Sequence, residues 1–213
     1  WVNLIMDTFA ALALASLPPN ENVMKEKPRP LSAHIITPAM ARTILITGII
    51  FVAFLFGLLQ YFNHTDITAH TPIEWNNLFS YYFQFGQHNG LSSYELSLFF
   101  TIFVMLQFWN MFNAKAFMTG ASAFKGLFKS SSFLFVALII LAGQYLIVTF
   151  GGTMFSVTPL SMNSWLTIIA STSLVLWIPE IIRLTKRNTG IHAKPFVKKY
   201  LNFKWMMEHI QYS

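Results

Sequence analysis

The sequence predicts an all-α protein, a polytopic bundle of five transmembrane helices. Its composition, its long apolar stretches and the placement of its basic residues each support this fold class. Of the 213 residues, 54% are apolar and only 10% are charged, against about a quarter in soluble domains. The mean hydropathy is +0.52. So few charged side chains cannot cover so much apolar surface, which favours a membrane protein.

Five apolar stretches are long enough, or nearly so, to cross a bilayer, which takes about 20 residues of helix. They are residues 1–17, 40–62, 93–113, 131–150 and 163–184. Pro18 and Pro19 end the first stretch, because proline lacks the N–H and disfavours helix in the residue before it. We therefore interpret 1–184 as a transmembrane domain and 185–213 as a basic tail. The chain enters its first stretch directly at Trp1, so we expect it to be a piece of a longer protein.

The 14 Lys and Arg residues indicate which loops face the cytoplasm. All of them lie between the first and second stretches, between the third and fourth, or after the fifth, allowing for residues at the stretch edges. Loops 63–92 and 151–162 contain none. Basic residues in alternate loops are typical of cytoplasmic segments, whereas a soluble five-helix bundle gives no reason for the alternation. We therefore predict a multi-pass protein with a cytoplasmic C-terminus.

The basic segments indicate a lipid bilayer as partner and no nucleic acid, because they adjoin membrane spans, where anionic lipid accounts for them. Residues 194–213 are basic and amphipathic. We interpret this part of the tail as a helix on the membrane surface. Docking on a cytoplasmic domain, or on a calmodulin-like partner, remains an alternative.

Several kinds of chemistry are excluded by what the sequence lacks. The chain has no Cys, which rules out disulfides, thiol catalysis and cysteine-ligated metals within it. It also lacks a phosphate-binding glycine loop, a nucleophile–base constellation and paired carboxylates for acid–base work. The residues themselves therefore predict no catalytic site.

Asp7 is the one carboxylate well inside a predicted span. A charge there costs roughly 2.5–3.5 kcal/mol on insertion scales and needs a partner. Asn3 lies four residues earlier, about 40° around the helix, so both oxygens share a face. The same face carries Ala10, Ala11 and Ala15, which permit close helix approach. Two oxygen ligands one turn apart suit a hard cation such as Ca²⁺, although Mn²⁺ or a purely structural hydrogen bond of Asp7 would also fit.

The third span carries three amides at roughly helical spacing in its cytoplasmic half: Gln107, Asn110 and Asn113. Hydrogen bonds between helices explain such a stripe at least as well as cation binding. Amides also balance a divalent charge poorly, so Gln107 is a weaker ligand candidate than Asp7.

Loop 63–92, which the charge pattern predicts to lie outside and which we call the outer loop, holds three histidines: His64, His70 and His88. Their spacing fits no standard metal site, and solvated loop residues are the simpler interpretation. The aromatic stretch 75–85 in the same loop predicts a short interfacial helix.

Three stretches of this chain resemble P-type calcium ATPases, particularly the plasma-membrane type. WVNLIMDTFAALALASLPP resembles transmembrane helix six, with the WVNL-x-x-D pattern, a run of small residues and a Pro-Pro pair. FVMLQFWNMFNAK resembles helix eight, and FGGTMFSVTPLSMNSW the loop between helices nine and ten. The resemblance covers nearly the whole chain in order, which implies that the five spans are helices six to ten of a ten-helix pump in the cell membrane.

The resemblance implies a ligand set. Asn3 and Asp7 match the helix-six residues that bind Ca²⁺ in the family. Met6 stands where the two-site, sarcoplasmic-reticulum type has a ligating Thr, and Gln107 where that type has a ligating Glu. Both departures remove oxygen ligands or charge from a second site, so we expect one Ca²⁺ per cycle.

The resemblance also implies what lies elsewhere. ATP and Mg²⁺ would be bound by upstream domains of the full-length enzyme, so this fragment alone should be inactive. Helices one to five would be partners of the first segment, which we therefore expect to be the least native-like part of the isolated chain. A pump for another cation, Mn²⁺ or H⁺, and a non-catalytic membrane module in which Asp7 is a structural contact remain alternatives.

Overall fold

The computed structural model describes residues 2–17, 35–68, 72–86, 90–117 and 121–188, with side chains for 7–17 in the first of these ranges and up to 186 in the last. Helix is the only regular structure in these ranges, and no strand occurs in them. The predicted tail beyond residue 188 lies outside the described residues. The helices are α1 Val2–Ala15, α2 Pro38–His64, α3 Ser93–Ala116, α4 Ser131–Phe150, α5 Gly152–Phe155, α6 Met162–Thr172 and α7 Leu174–Asn188.

Four helical segments are long and apolar enough to cross a membrane. Three of them are α2, α3 and α4, and the fourth is formed by α6 and α7 together over Met162–Lys186. The prediction of an all-α membrane bundle is therefore confirmed. The 14 residues of α1 fall short of the about 20 that a span needs, so a fifth span stays a prediction.

The helix α3 is the centre of the bundle. It contacts α1, α2, α4, α6 and α7, and about half of its residues are buried. Ile102 and Met105 lie in its middle and are almost completely inaccessible. Near its C-terminal end, the ring of Phe112 meets Phe133 of α4 edge-on at a centroid distance of 5.3 Å. The other long helices expose apolar faces, as expected of helices that meet lipid or further helices.

Local sequence signals set the beginnings of these helices. At α2, Thr37 accepts a hydrogen bond from the Met40 N–H, and Pro38 occupies the first helical position, where proline costs no hydrogen bond. At α3, Ser92 and Glu95 form a capping box, in which each side chain satisfies a free backbone N–H of the first turn. The helix ends are thus encoded within a few residues.

Glu95 also joins α3 to the chain that follows α2. Its side chain is buried, and Oε1 accepts a hydrogen bond from the Ile67 N–H at 3.0 Å. Its Oε2 accepts from both the N–H and the hydroxyl of Ser92 at 2.8 Å. This one carboxylate therefore fixes the N-terminal end of α3 relative to the segment that follows α2.

The first segment is helical and packs on two other helices. Val2–Ala15 is a continuous helix that contacts α3 and α4, and Ala13 is completely buried. Of the alanines that we expected to permit close helix approach, Ala10 packs against the core, whereas Ala11 and Ala15 are exposed. That this segment is the least native-like part of the isolated chain stays a prediction.

The outer loop is more irregular than the predicted interfacial helix over 75–85. A single 3₁₀ turn, Trp75–Asn77, is followed by turns up to residue 83. The aromatic rings fold back onto α2 instead of pointing along a helix. Tyr81 stacks on His64 at 4.9 Å, and the Phe79 ring approaches Gly57 so closely that a Cβ there would lie 2.7 Å from it.

We expect Glu95→Gln to destabilise the protein, because an amide NH₂ cannot accept the hydrogen bonds that one carboxylate oxygen now accepts. Leaving buried donors without partners costs about 1–3 kcal/mol. Thermal unfolding of the detergent-purified full-length protein should show a lower Tm. Glu74→Gln is the matched control, since Glu74 is exposed in the same outer loop. Equal Tm values for the two variants would contradict the role of Glu95.

Candidate cation site

The two predicted cation ligands lie on one uninterrupted helix. Asn3 and Asp7 are both within α1, one turn apart. The Asn3 side chain is outside the described set, whereas Asp7 is exposed. Asp7 shows no hydrogen bond or ion pair with any side chain or backbone group that the structure describes. Its carboxylate is therefore accessible to a ligand or to another part of a longer protein.

Among the residues that the structure describes, no ready-made metal cluster accompanies this pair. Across the described ranges, no three His, Asp or Glu side chains come together. His64 instead stacks on Tyr81 and lies with Nδ1 2.7 Å from the Gln60 carbonyl oxygen, while His70 and His88 lie outside the described residues. A Ca²⁺ ion takes six to eight oxygens, so α1 supplies only part of a shell.

The amide stripe of α3 divides into two roles. Gln107 and Asn110 are half-buried, and their side chains make no hydrogen bond to the described part of the chain. Asn113 is different. Its Nδ2 donates to the Val175 carbonyl oxygen at 2.7 Å, and its Oδ1 accepts from Arg183 Nη2 at 2.9 Å. The interhelical interpretation is therefore correct for Asn113.

The hydrogen bond from Asn113 replaces one that Pro179 removes from the backbone of α7. Pro179 lies within that helix and has no N–H, so the carbonyl of Val175, four residues earlier, loses its normal donor. In a membrane, an unpaired carbonyl is costly because no water replaces the donor. Asn113 supplies the missing donor from α3. The sequence signal was a proline inside an apolar span and an amide on another.

Glu180 is a buried carboxylate of α7 that the sequence analysis did not single out. Its side chain is almost wholly buried. Its Oε2 accepts from the Ala123 N–H at 3.0 Å and pairs with Arg183 Nη2 at 2.9 Å. The available signal was a glutamate three residues before an arginine on one helix face.

Lys115 holds the same end of the bundle from the α3 side. Its Nζ donates to the carbonyl oxygens of Ala123 and Lys125 at 3.1 and 2.8 Å, and it lies 5.8 Å from the centre of the Phe133 ring. The loop between α3 and α4 is thus held by Lys115 on one side and Glu180 on the other.

Further hydrogen bonds link α3 to its neighbours along its length. Gln144 of α4 donates to Thr101 at 3.2 Å, and both side chains are buried. The Trp109 indole N–H donates to Thr172 of α6 at 3.1 Å. Such bonds between apolar helices fix how the helices are rotated and how far they are shifted along their axes relative to one another. The arrangement is a helical membrane bundle in which α3 positions the surrounding helices, with a carboxylate and an amide on its first helix.

Comparison with known proteins identifies which membrane bundle this is. Residues 1–185 match the family described as "Cation transporting ATPase, C-terminus". The chain belongs to this family, as the resemblance in its sequence predicted.

The relatives support the same assignment. The chain is 33% identical over 187 residues to calcium-transporting ATPase PAT1 of Dictyostelium discoideum, an alignment that covers 86% of this chain and 15% of the relative. It is 34% identical to human plasma membrane calcium-transporting ATPase 3, over 78% of this chain and 13% of that protein. It is 32% identical to calcium-transporting ATPase 2 of Cryptococcus neoformans var. grubii, over 94% of this chain and 13% of that protein. The chain thus spans less than a sixth of the length of these relatives.

A double-mutant cycle tests the repair of α7 by Asn113. We expect Asn113→Ala to lower the Tm of the full-length protein more in the natural background than beside Pro179→Ala, where residue 179 regains an N–H for the Val175 carbonyl. The bond to Arg183 is lost in both backgrounds, so the coupling, about 1 kcal/mol, isolates the carbonyl contact. Asn110→Ala is the control. Strictly additive effects of the two substitutions would show that the contact contributes nothing.

Proposed function

We propose that this chain is the C-terminal membrane part of an ATP-driven Ca²⁺ pump, and that α1 contributes half of a single intramembrane Ca²⁺ site through Asn3 and Asp7. The match to the cation-transporting ATPase family over residues 1–185 carries this proposal. The names of the relatives, which are calcium-transporting ATPases, favour Ca²⁺ as the transported ion.

The chemistry of the pair suits this role. A carboxylate supplies negative charge and an amide supplies a neutral oxygen, and both are hard ligands that Ca²⁺ prefers. The exposed Asp7 lies on a helix whose other side is packed, since Ala13 is buried. The remaining oxygens would come from other helices of the full-length protein. ATP and Mg²⁺ would be bound by its other domains, so the chain alone would not hydrolyse ATP.

The structure supports the proposed sidedness in the cell membrane. Two of the described segments that contain basic residues, the loop 121–130 and α7, meet at one end of α3, where Lys115 contacts the loop and Arg183 contacts Asn113. The loops without basic residues meet at the other end, where Ile67 contacts Glu95 and Thr158 contacts Ser97. Such a separation fits a cytoplasmic side at the Lys115 end and a cytoplasmic tail.

Neutralising Asp7 in the full-length protein tests the ion site. We expect Asp7→Asn to abolish or strongly reduce ⁴⁵Ca²⁺ uptake by inverted vesicles, together with Ca²⁺-dependent phosphorylation. Losing only 1.4 kcal/mol of binding free energy weakens affinity about tenfold, and a charge opposite a divalent ion contributes at least that much. Asp66→Asn is the matched control, because Asp66 is exposed in the outer loop. Undiminished uptake by Asp7→Asn would show that the ion binds elsewhere.

Counting bound ions tests the single site. We expect one ⁴⁵Ca²⁺ per phosphorylatable pump molecule, because Met6 offers no oxygen ligand and Gln107 offers no negative charge for a second divalent ion. Equilibrium binding to purified full-length protein, normalised to the phosphorylated amount, gives the ratio. A ratio of two would overturn the proposal. If Mn²⁺ or H⁺ stimulates the ATPase activity and Ca²⁺ does not, the protein is still a cation pump, but Ca²⁺ is not the ion that it transports.

A further inference from the structure

The loop between α3 and α4 presents a compact surface of aromatic and basic side chains. We call residues 121–130 the inner loop. Four of its side chains are exposed: Phe124, Lys125, Phe128 and Lys129. Phe128 is 91% exposed, which is unusual for a large apolar side chain in a short loop held by many hydrogen bonds. Phe124 is also exposed in this short loop, and exposed apolar side chains that lie together, unlike single ones, indicate a contact surface.

The backbone of the inner loop is held rigidly in the shape that exposes these side chains. The Ala123 N–H is bound by the buried Glu180, and the Ala123 and Lys125 carbonyls are bound by Lys115. Gly126 adopts a left-handed conformation with φ of +67°, which glycine tolerates best. The 3₁₀ turn Leu127–Lys129 follows it and leads into α4. The exposure of Phe128 is therefore built into the fold.

One edge of the inner loop is continuous with the lipid-facing surface of α7. The Phe124 ring packs against Trp177 at a centroid distance of 5.8 Å. Trp177 is itself half exposed, and next to it on α7 the large apolar side chains of Ile178 and Ile181 are exposed. Further along α7 the apolar stretch ends at Arg183, whose partner Glu180 binds the inner loop at the Ala123 N–H. Basic residues beside an apolar span are typical of the level of the lipid head groups, so the inner loop lies beside that level.

The two lysines of the inner loop supply charge at that height. Lys125 and Lys129 are exposed, and neither has a carboxylate partner in the part of the chain that the structure describes. A lysine near an anionic leaflet favours binding about fivefold. A rigid apolar side chain flanked by two such lysines complements a lipid whose head group is negative and whose tails are apolar.

We propose that the inner loop is a binding site for an anionic phospholipid of the cytoplasmic leaflet. Lys125 and Lys129 bind the phosphate-bearing head group, and Phe128 inserts between the acyl chains. The choice of the cytoplasmic leaflet rests on the membrane orientation given under Proposed function. A soluble domain of the same polypeptide is the competing occupant, but the contact of Phe124 with Trp177 places the loop against the bilayer surface.

Photocrosslinking from position 128 tests the proposal directly. The full-length protein carrying Phe128→benzoylphenylalanine is placed in vesicles with equal amounts of phosphatidylserine and phosphatidylcholine, irradiated and analysed by mass spectrometry. We expect lipid adducts in which phosphatidylserine exceeds phosphatidylcholine about fivefold or more. Adding Lys125→Gln and Lys129→Gln should bring the ratio towards one. Arg42→Gln, an exposed charge at the start of α2, should leave it unchanged.

The other outcomes contradict separate parts of the proposal. Crosslinks to peptides of the same protein would show that a domain covers the inner loop. If the loop that keeps both lysines gives equal adducts of the two lipids, it has no preference for an anionic head group. The orientation is tested in vesicles that contain phosphatidylserine in one leaflet only. If phosphatidylserine adducts form only when this lipid is in the leaflet opposite to the ATP-binding side, the proposed orientation is wrong. Loss of uptake by Asp7→Asn is independent of all three results.

Discussion

Inside a membrane, each buried polar group must find its hydrogen-bond partner within the protein, and in this bundle α3 provides many of those partners. It binds the segment that follows α2 through Glu95, α4 through Thr101, α6 through Trp109 and α7 through Asn113. Apolar contacts alone do not fix the height of one helix against another, because lipid is as apolar as the side chains. The directional bonds along α3 therefore set the positions of its neighbours.

The two buried carboxylates near the ends of this helix act in the same way. Glu95 lies in the first turn of α3, and Glu180, from α7, lies near the C-terminal end of α3. Each accepts a hydrogen bond from the backbone of a neighbouring loop, Ile67 in one case and Ala123 in the other. A carboxylate can accept several hydrogen bonds at once, so a single residue joins a helix end to a loop. This use differs from that of Asp7, whose exposed carboxylate is free of such bonds within the described chain.

These different uses of acidic residues connect the fold to the proposed transport function. Residues that hold the scaffold are buried or half-buried, and their side chains bond to neighbouring helices and loops. The proposed ion ligands lie on α1, which contacts α3 and α4 while leaving Asp7 accessible. The bonds of Glu180 and Lys115 also join the inner loop to α7 and to α3, and they hold its backbone in the shape that exposes Phe128.

Several features could be predicted from the sequence because they depend on short-range patterns. The apolar composition and long apolar stretches determined the class, and the spacing of Asn3 and Asp7 determined that both share one turn of α1. The hydrogen bond from Asn113 to the Val175 carbonyl, which Pro179 leaves without a donor, could not be predicted in the same way. The partners are more than sixty residues apart, and either amide, Asn110 or Asn113, fitted the pattern. The same holds for Glu180, whose donor Ala123 is a backbone group that any residue would supply. Composition and periodicity determined which segments form helices, whereas the tertiary structure decided which polar groups meet, because the direction of a hydrogen bond depends on how the helices are rotated against one another.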